Sequence, residues 1–305
     1  MVLVFQPDEE GGTGARSLIA DGLFERFGTP AVVLGQHVAP LPAGVLGVTP
    51  GPAFAATDMI RVVLHGEGGH GSRPESAVDP VVMGASLVLR LQTVVSREVG
   101  GSDMVVLTVG TFHAGTRGNI IPDRAVLEIS LRTTDPAVRD KAVAAIERMA
   151  KAEALAAGAP REPEVEVLFS LPAVVNDAGA CEQVAAAFAA TGRFLVVDPG
   201  AVTGSEDVGI LSDTAGVPGA YWLLGGADPA TFAGATTVEE PDRPGGGAAG
   251  QPLAVLRPGG APDPGVGRGG AGQRRPRLPG LSLTRPSARS SASRRTCRAR
   301  RCRRP

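Results

Sequence analysis

The chain changes character at Glu240, and only the part before that point has the composition of something that folds. Residues 241–305 hold fifteen arginines, no lysine and two acids, Asp242 and Asp263, a net charge of +13. The first 240 residues hold 15 basic and 29 acidic residues, a net charge of −14. The overall charge of −1 therefore averages two unlike segments. The tail has no Phe, Tyr or Trp and is about one-third Gly plus Pro. Such a segment buries too little apolar surface to offset the entropy of ordering it, so 241–305 is expected to be a disordered Arg/Gly/Pro-rich tail. Gly267-Arg268-Gly269-Gly270 fits an Arg/Gly tail that binds nucleic acid. The abrupt break, and only two Lys against 28 Arg in the chain, favour instead a shifted reading frame in a GC-rich gene. Nucleic acid is not the expected partner.

Four His and three Cys are too few for a disulfide framework or an array of zinc fingers. No apolar run reaches the length of a membrane span. Met1 to Pro7 has neither a basic flank nor a cleavage site, so a cytoplasmic location is expected. Short apolar runs at Val2–Phe5, 31–36, 194–197 and 220–224, bounded by Gly, Pro or Asp, read as buried strands of an α/β sheet. Val2–Phe5 starts at the first residue, from which an absent upstream segment is expected. Helices are expected over 15–21, closed by Gly22, and over 178–191, capped by Asn176 or Asp177.

The middle of the chain has a different order. Strands are expected at 58–65, 104–112, 124–132 and 163–169. A helix is expected over 78–97, with Val78, Val81, Val82, Ala85, Val88, Leu89 and Leu91 at helical spacing. A second helix follows the Asp135-Pro136 start signal and carries Val138, Ala142, Val143, Ile146, Met149 and Ala150 on one face. The order β-α-β-β-α-β is that of a ferredoxin-like sandwich. Residues 57–170 are thus expected to be a domain inserted between 1–56 and 171–240, two pieces of one α/β domain.

Five places could carry chemistry. Glu9-Glu10 follow the Val2–Phe5 run, where α/β ligand sites form, and paired carboxylates can divide metal binding from proton transfer. The alternative is a solvated acidic turn. His37 follows the 31–36 run and the expected turn Gly35-Gln36; a neutral imidazole there suits zinc or manganese, or is a satisfied rim residue. Gly66 to Gly71 matches G-x-G-x-x-G. However, Arg73-Pro74-Glu75 prevents a helix from opening at once, so the loop is read as presenting His70 and not as binding a dinucleotide. Asn119, in the loop 115–123, suits a substrate carboxylate or an Asx-turn. Gly204-Ser205-Glu206-Asp207 reads as a helix-capping stretch. His65 and His113 read as structural strand residues and Cys181 as core.

In order and spacing these segments together resemble the N-acyl-amino-acid amidohydrolase and hippurate hydrolase family of dinuclear metallopeptidases. The likeness runs from Val2 to about Glu240. It rests on Phe5 to Gly12, Gly35 to Val38, Gly68-Gly69-His70, Gly115-Thr116 with Asn119 to Pro122, and Gly204 to Asp207. It implies a zinc-peptidase-like α/β domain, incomplete in this chain, with the inserted ferredoxin-like βαββαβ domain as lid and dimerisation domain. It implies two divalent ions, Zn or Mn, and hydrolysis of amide bonds in N-acyl amino acids or small peptides. Glu9 would be the general base, and Glu10 and His37 metal ligands. His70 would stabilise the oxyanion in the partner subunit's site, and Asn119 would bind the substrate carboxylate. The family's upstream Cys/His ligand segment and a further downstream metal-binding His have no counterpart here. The alternative is a non-catalytic dimerising scaffold with a basic tail.

Overall fold

The computed structural model describes residues 1–8 and 11–232. The expectations for Glu9, Glu10 and the 241–305 tail lie outside the described residues. After α1 (Gly14–Ala20) and α2 (Leu23–Phe27) come β1 (Val33–Pro42), β2 (Val45–Gly47) and β3 (Gly51–Phe54). Then follow β4 (Ala56–His65), β5 (Gly69–His70), α3 (Pro80–Thr93), β6 (Val105–Ala114), β7 (Ile120–Ile121) and β8 (Arg124–Thr133). The order continues with α4 (Pro136–Ala157), β9 (Glu164–Leu171), β10 (Val174–Asn176), α5 (Ala178–Ala190), β11 (Leu195–Val197), α6 (Gly209–Ala215) and β12 (Gly219–Ala227).

A mixed sheet is ordered β1-β12-β2-β11, with β1 parallel to β12 and β2 antiparallel to it. Its apolar residues pack with β3 and β10 in one cluster, around Leu41, Phe54, Val174 and Tyr221, and with α5 in another, around Val48, Cys181 and Val184. Two strand expectations are corrected here. Val2–Phe5 pairs with no described strand and lies exposed, Phe5 at 88%. Without a ladder its backbone stays with water. The 31–36 run is only the start of a ten-residue strand, so His37 lies within β1 and not after a turn. Gly35 is in the ladder because the Tyr221 ring occupies its side-chain space: a Cβ there would meet that ring at 2.8 Å. Among the described residues β1 lies at an edge of its sheet, and Leu34 and Val38 on it are exposed.

The four middle strands form an antiparallel sheet in the order β6-β8-β4-β9, against which α3 and α4 pack. Ile60, Val62 and Leu64 alternate inward from β4, as do Leu127, Ile129 and Leu131 from β8. The Asp135 carboxylate accepts from the Ala137 and Val138 N–H groups, with Pro136 at the first helical position of α4. Ala142, Ile146, Met149 and Ala150 are buried as expected. In α3 the buried face is Met83, Gly84, Leu87 and Leu91, so Val81, Val82 and Leu89 of the expected stripe point outward. The helix is apolar on two sides, and periodicity alone cannot say which side meets the sheet.

Candidate functional site

His37 is exposed on β1. Its Nδ1 lies 2.7 Å from the Val38 carbonyl oxygen, which only accepts. Nδ1 therefore carries the proton, and Nε2 keeps its lone pair for an outside partner. Behind the ring, Phe54 stands 6.4 Å away between centroids, and Tyr221 stands 5.2 Å from Phe54. The Tyr221 hydroxyl donates to buried Glu206 at 3.1 Å.

The described segments on either side of Glu9-Glu10 meet each other. Asp8 sits at φ +49° and accepts from the Thr13 hydroxyl. Gly14 packs so closely on the Pro7 carbonyl that a Cβ would overlap it. Gly12, at φ +64°, faces Phe169 and Leu171. Both flanks end on one carboxylate. The Gln6 side chain donates to Asp207 Oδ1, and the Ala15 N–H donates to Asp207 Oδ2 at 2.9 Å.

Glu206 and Asp207 are 3% and 1% exposed, and this corrects the capping expectation. The helix that follows, α6, is preceded by Val208 and has no side-chain cap. Asp207 instead serves α1, whose own N-cap residue, Thr13, turns its hydroxyl to Asp8. The signal available in the sequence was an acidic pair between apolar neighbours, Val202 and Val208 to Leu211. That pattern speaks for buried carboxylates as much as for a cap.

His70 and Asn119 are brought together. Strands β5 and β7 pair with His70 opposite Ile120, and the Gly71 N–H donates to the Asn119 carbonyl at 2.9 Å. The glycine loop is thus half of a two-stranded ribbon. Gly68 and Gly71 leave room for the facing backbone, since a Cβ on either would meet a carbonyl oxygen at 3.1 Å. His70 Nδ1 accepts from the Ser72 N–H at 3.2 Å, so its proton sits on exposed Nε2 as an outward donor. Its tautomer is opposite to that of His37. The Asn119 side chain is exposed and forms no Asx-turn among the described residues. A cleft of about 740 Å³ beside the ribbon is lined by His70, His113, Thr116, Asp123 and Arg124.

His65 is structural, held between Glu164 at 3.0 Å and Arg161 at 2.9 Å. Burial, then Asp177 and Asp198, push the Cys181 thiol up, away from nucleophilic use. Among the described residues, no three His, Cys, Asp or Glu side chains are grouped to hold a metal ion. His37 fits a ligand by its Nε2, since Nδ1 is turned to the Val38 carbonyl.

The family described as peptidase family M20/M25/M40 matches residues 1–240. N-acetyl-L-cysteine deacetylase of Bacillus subtilis strain 168 is 34% identical over 224 residues, covering 73% of this chain and 52% of that protein. Thermostable carboxypeptidase 2 of Saccharolobus solfataricus is 31% identical over 227 residues, covering 73% of this chain and 56% of that one. The crystal structure of a dinuclear metal-binding peptidase of the M20 family from Bacillus subtilis superposes with a TM-score of 0.59 at 28% identity, covering 72% of this chain and 54% of that chain. The chain spans about half the length of the curated relatives it matches.

Proposed function

The chain belongs to peptidase family M20/M25/M40, and from that premise we propose that it carries the general base, one metal-binding edge and the lid of a hydrolase of amide bonds in N-acyl amino acids or small peptides. The observation that supports this best is the fixed tautomer of His37, which leaves a metal-competent nitrogen exposed on an edge strand. His37 and Glu10 would hold the metal. Bound divalent ions, Zn or Mn, would supply Lewis acidity for the scissile carbonyl and lower the pKa of water.

Glu9 takes the proton of the attacking water and returns it to the leaving amine. The His70 Nε2–H donates, in the partner subunit's site, to the oxygen on which negative charge develops. Asn119, on the paired strand, binds the substrate carboxylate through its amide. His70 and Asn119 then act as one rigid unit, because the ribbon that carries them is paired backbone to backbone. Residues 57–170 form the ferredoxin-like insertion, and 1–56 with 171–240 the catalytic domain. The outward Val82 and Leu89 of α3, 65% and 73% exposed, favour pairing of two copies through this insertion in the cytoplasm.

The test is metal content and amide hydrolysis together. Glu9→Gln is expected to keep the wild-type metal content and lose about 100-fold or more in turnover of an N-acetyl amino acid. Equal turnover by Glu9→Gln and wild type would overturn the assignment of the base.

A further inference from the structure

We infer that Tyr221 is a positioning residue for His37: held by Glu206 and acting through Phe54, it fixes the plane in which the His37 ring presents Nε2. This rests on the function proposed above, in which His37 is a metal ligand. The terminal torsion of a histidine is broad, so an exposed imidazole on a strand has no strongly preferred plane of its own. The Val38 carbonyl supplies one restraint, at Nδ1. The rings behind His37 supply the second.

Gly35 and His37 stand two residues apart on β1 and share a face of the sheet. In the parallel ladder with β12, Tyr221 is opposite Gly35 and Leu223 is opposite His37. With no side chain at Gly35, the Tyr221 ring lies directly on β1, where a Cβ would meet its Cδ2 at 2.8 Å and its Cε2 at 3.0 Å. Tyr221 stands 5.2 Å from Phe54 between ring centroids, tilted by 53°, and Phe54 stands 6.4 Å from His37, tilted by 50°. Tyr221 and Phe54 are 8% and 6% exposed and share one apolar cluster with Leu223, so turning one ring displaces the other. Phe54 is itself held by pairing with Val174 and Val202. The Tyr221 hydroxyl donates to the buried Glu206 carboxylate at 3.1 Å. Phe at 221 would serve packing alone. Burying a hydroxyl and a carboxylate costs desolvation, and what the pair adds is a fixed position for the ring. A metal ligand whose ring already stands in place loses less freedom on binding.

Two readouts on the full chain test this. Tyr221→Phe keeps the ring and removes the hydroxyl, and Phe54→Leu removes the ring beside His37. In the metal-free chain, the nitrogen chemical shifts of the His37 imidazole are expected to show Nδ1 protonated in wild type and a mixture of both tautomers in each variant. Zn²⁺ affinity, read by competition with a chromophoric chelator, is expected to fall on the order of tenfold in each variant, the range typical of residues that orient metal ligands. Since both act along one path, the double variant is expected to lose little more. Hydrogen exchange along β1 and β12 is expected to stay as in wild type.

Unchanged His37 shifts in Tyr221→Phe overturn the inference whatever the affinity. So do altered shifts with unchanged Zn²⁺ affinity. Losses that add in the double variant overturn it as well, because the two rings would then act separately. Affinity lost together with faster exchange in β1 and β12 would leave Tyr221 a support of the sheet only, and also overturns it. A wild-type chain that takes up no Zn²⁺ overturns the proposed function instead, and the His37 shifts alone then decide the inference.

Discussion

At the scale of single residues, two histidines of the same type are prepared for opposite work by one neighbour each. A carbonyl acceptor fixes the proton of His37 on Nδ1, and a backbone N–H fixes that of His70 on Nε2. One is left as a lone-pair donor and the other as a proton donor. None of this was legible in the sequence, because tautomers are set by backbone geometry one or two residues away. What was legible was the residue type and its neighbourhood of Gly and apolar residues. His37→Ala is expected to weaken Zn²⁺ or Mn²⁺ binding by at least about tenfold, read by titration calorimetry, while His70→Ala leaves it unchanged. Asp213, at the end of α6, has its carboxyl pushed above the ordinary 3.8 by burial. A raised carboxylate favours the fold below the unfolded-state pKa, and that contribution is lost as pH rises through the folded-state value.

At the scale of elements, the sequence signals worked where a local rule decides the outcome. Asp135-Pro136 starts α4 because both groups act on the first turn. The β4 and β8 strands follow their alternating pattern because one face is covered by helices. The signals failed where a partner decides. Val2–Phe5 has strand composition and no described ladder, β1 runs six residues beyond the expected end because β12 stays paired with it, and the stripe expected around α3 buries Leu91 and packs Val78 and Val88 while turning Val81, Val82 and Leu89 outward.

Two costs follow from these elements. Asp135→Ala is expected to destabilise the chain by about 1 kcal/mol. Arg139 holds the carboxylate of Asp58 in a two-pronged pair at 2.6 and 2.7 Å, with Asp58 fully buried on β4. Arg139→Ala strands that charge and is expected to cost about 3–5 kcal/mol. Urea unfolding of the two variants side by side checks both values and their order.

At the scale of the molecule, three apolar clusters appear among the described residues: one under the antiparallel sheet and its helices, one around Leu41, Phe54, Val174 and Tyr221, and one between the mixed sheet and α5. The Thr203–Asp207 loop ties β8 of the antiparallel sheet to Gln6 and to the start of α1 at Ala15. Family membership was legible because five short motifs keep their order and spacing. The burial of Asp207 was not, since its donors, Ala15 and Gln6, stand 192 and 201 residues away in sequence. Glu10 and His37 are proposed to grip one cation. A double-mutant cycle on Zn²⁺ affinity tests it most directly, using Glu10→Gln, His37→Ala and the combined variant. If both hold one ion, each single variant loses most of the affinity and the combination loses little more. Losses that simply add in free energy would mean the two side chains serve no common ion, and would contradict the account.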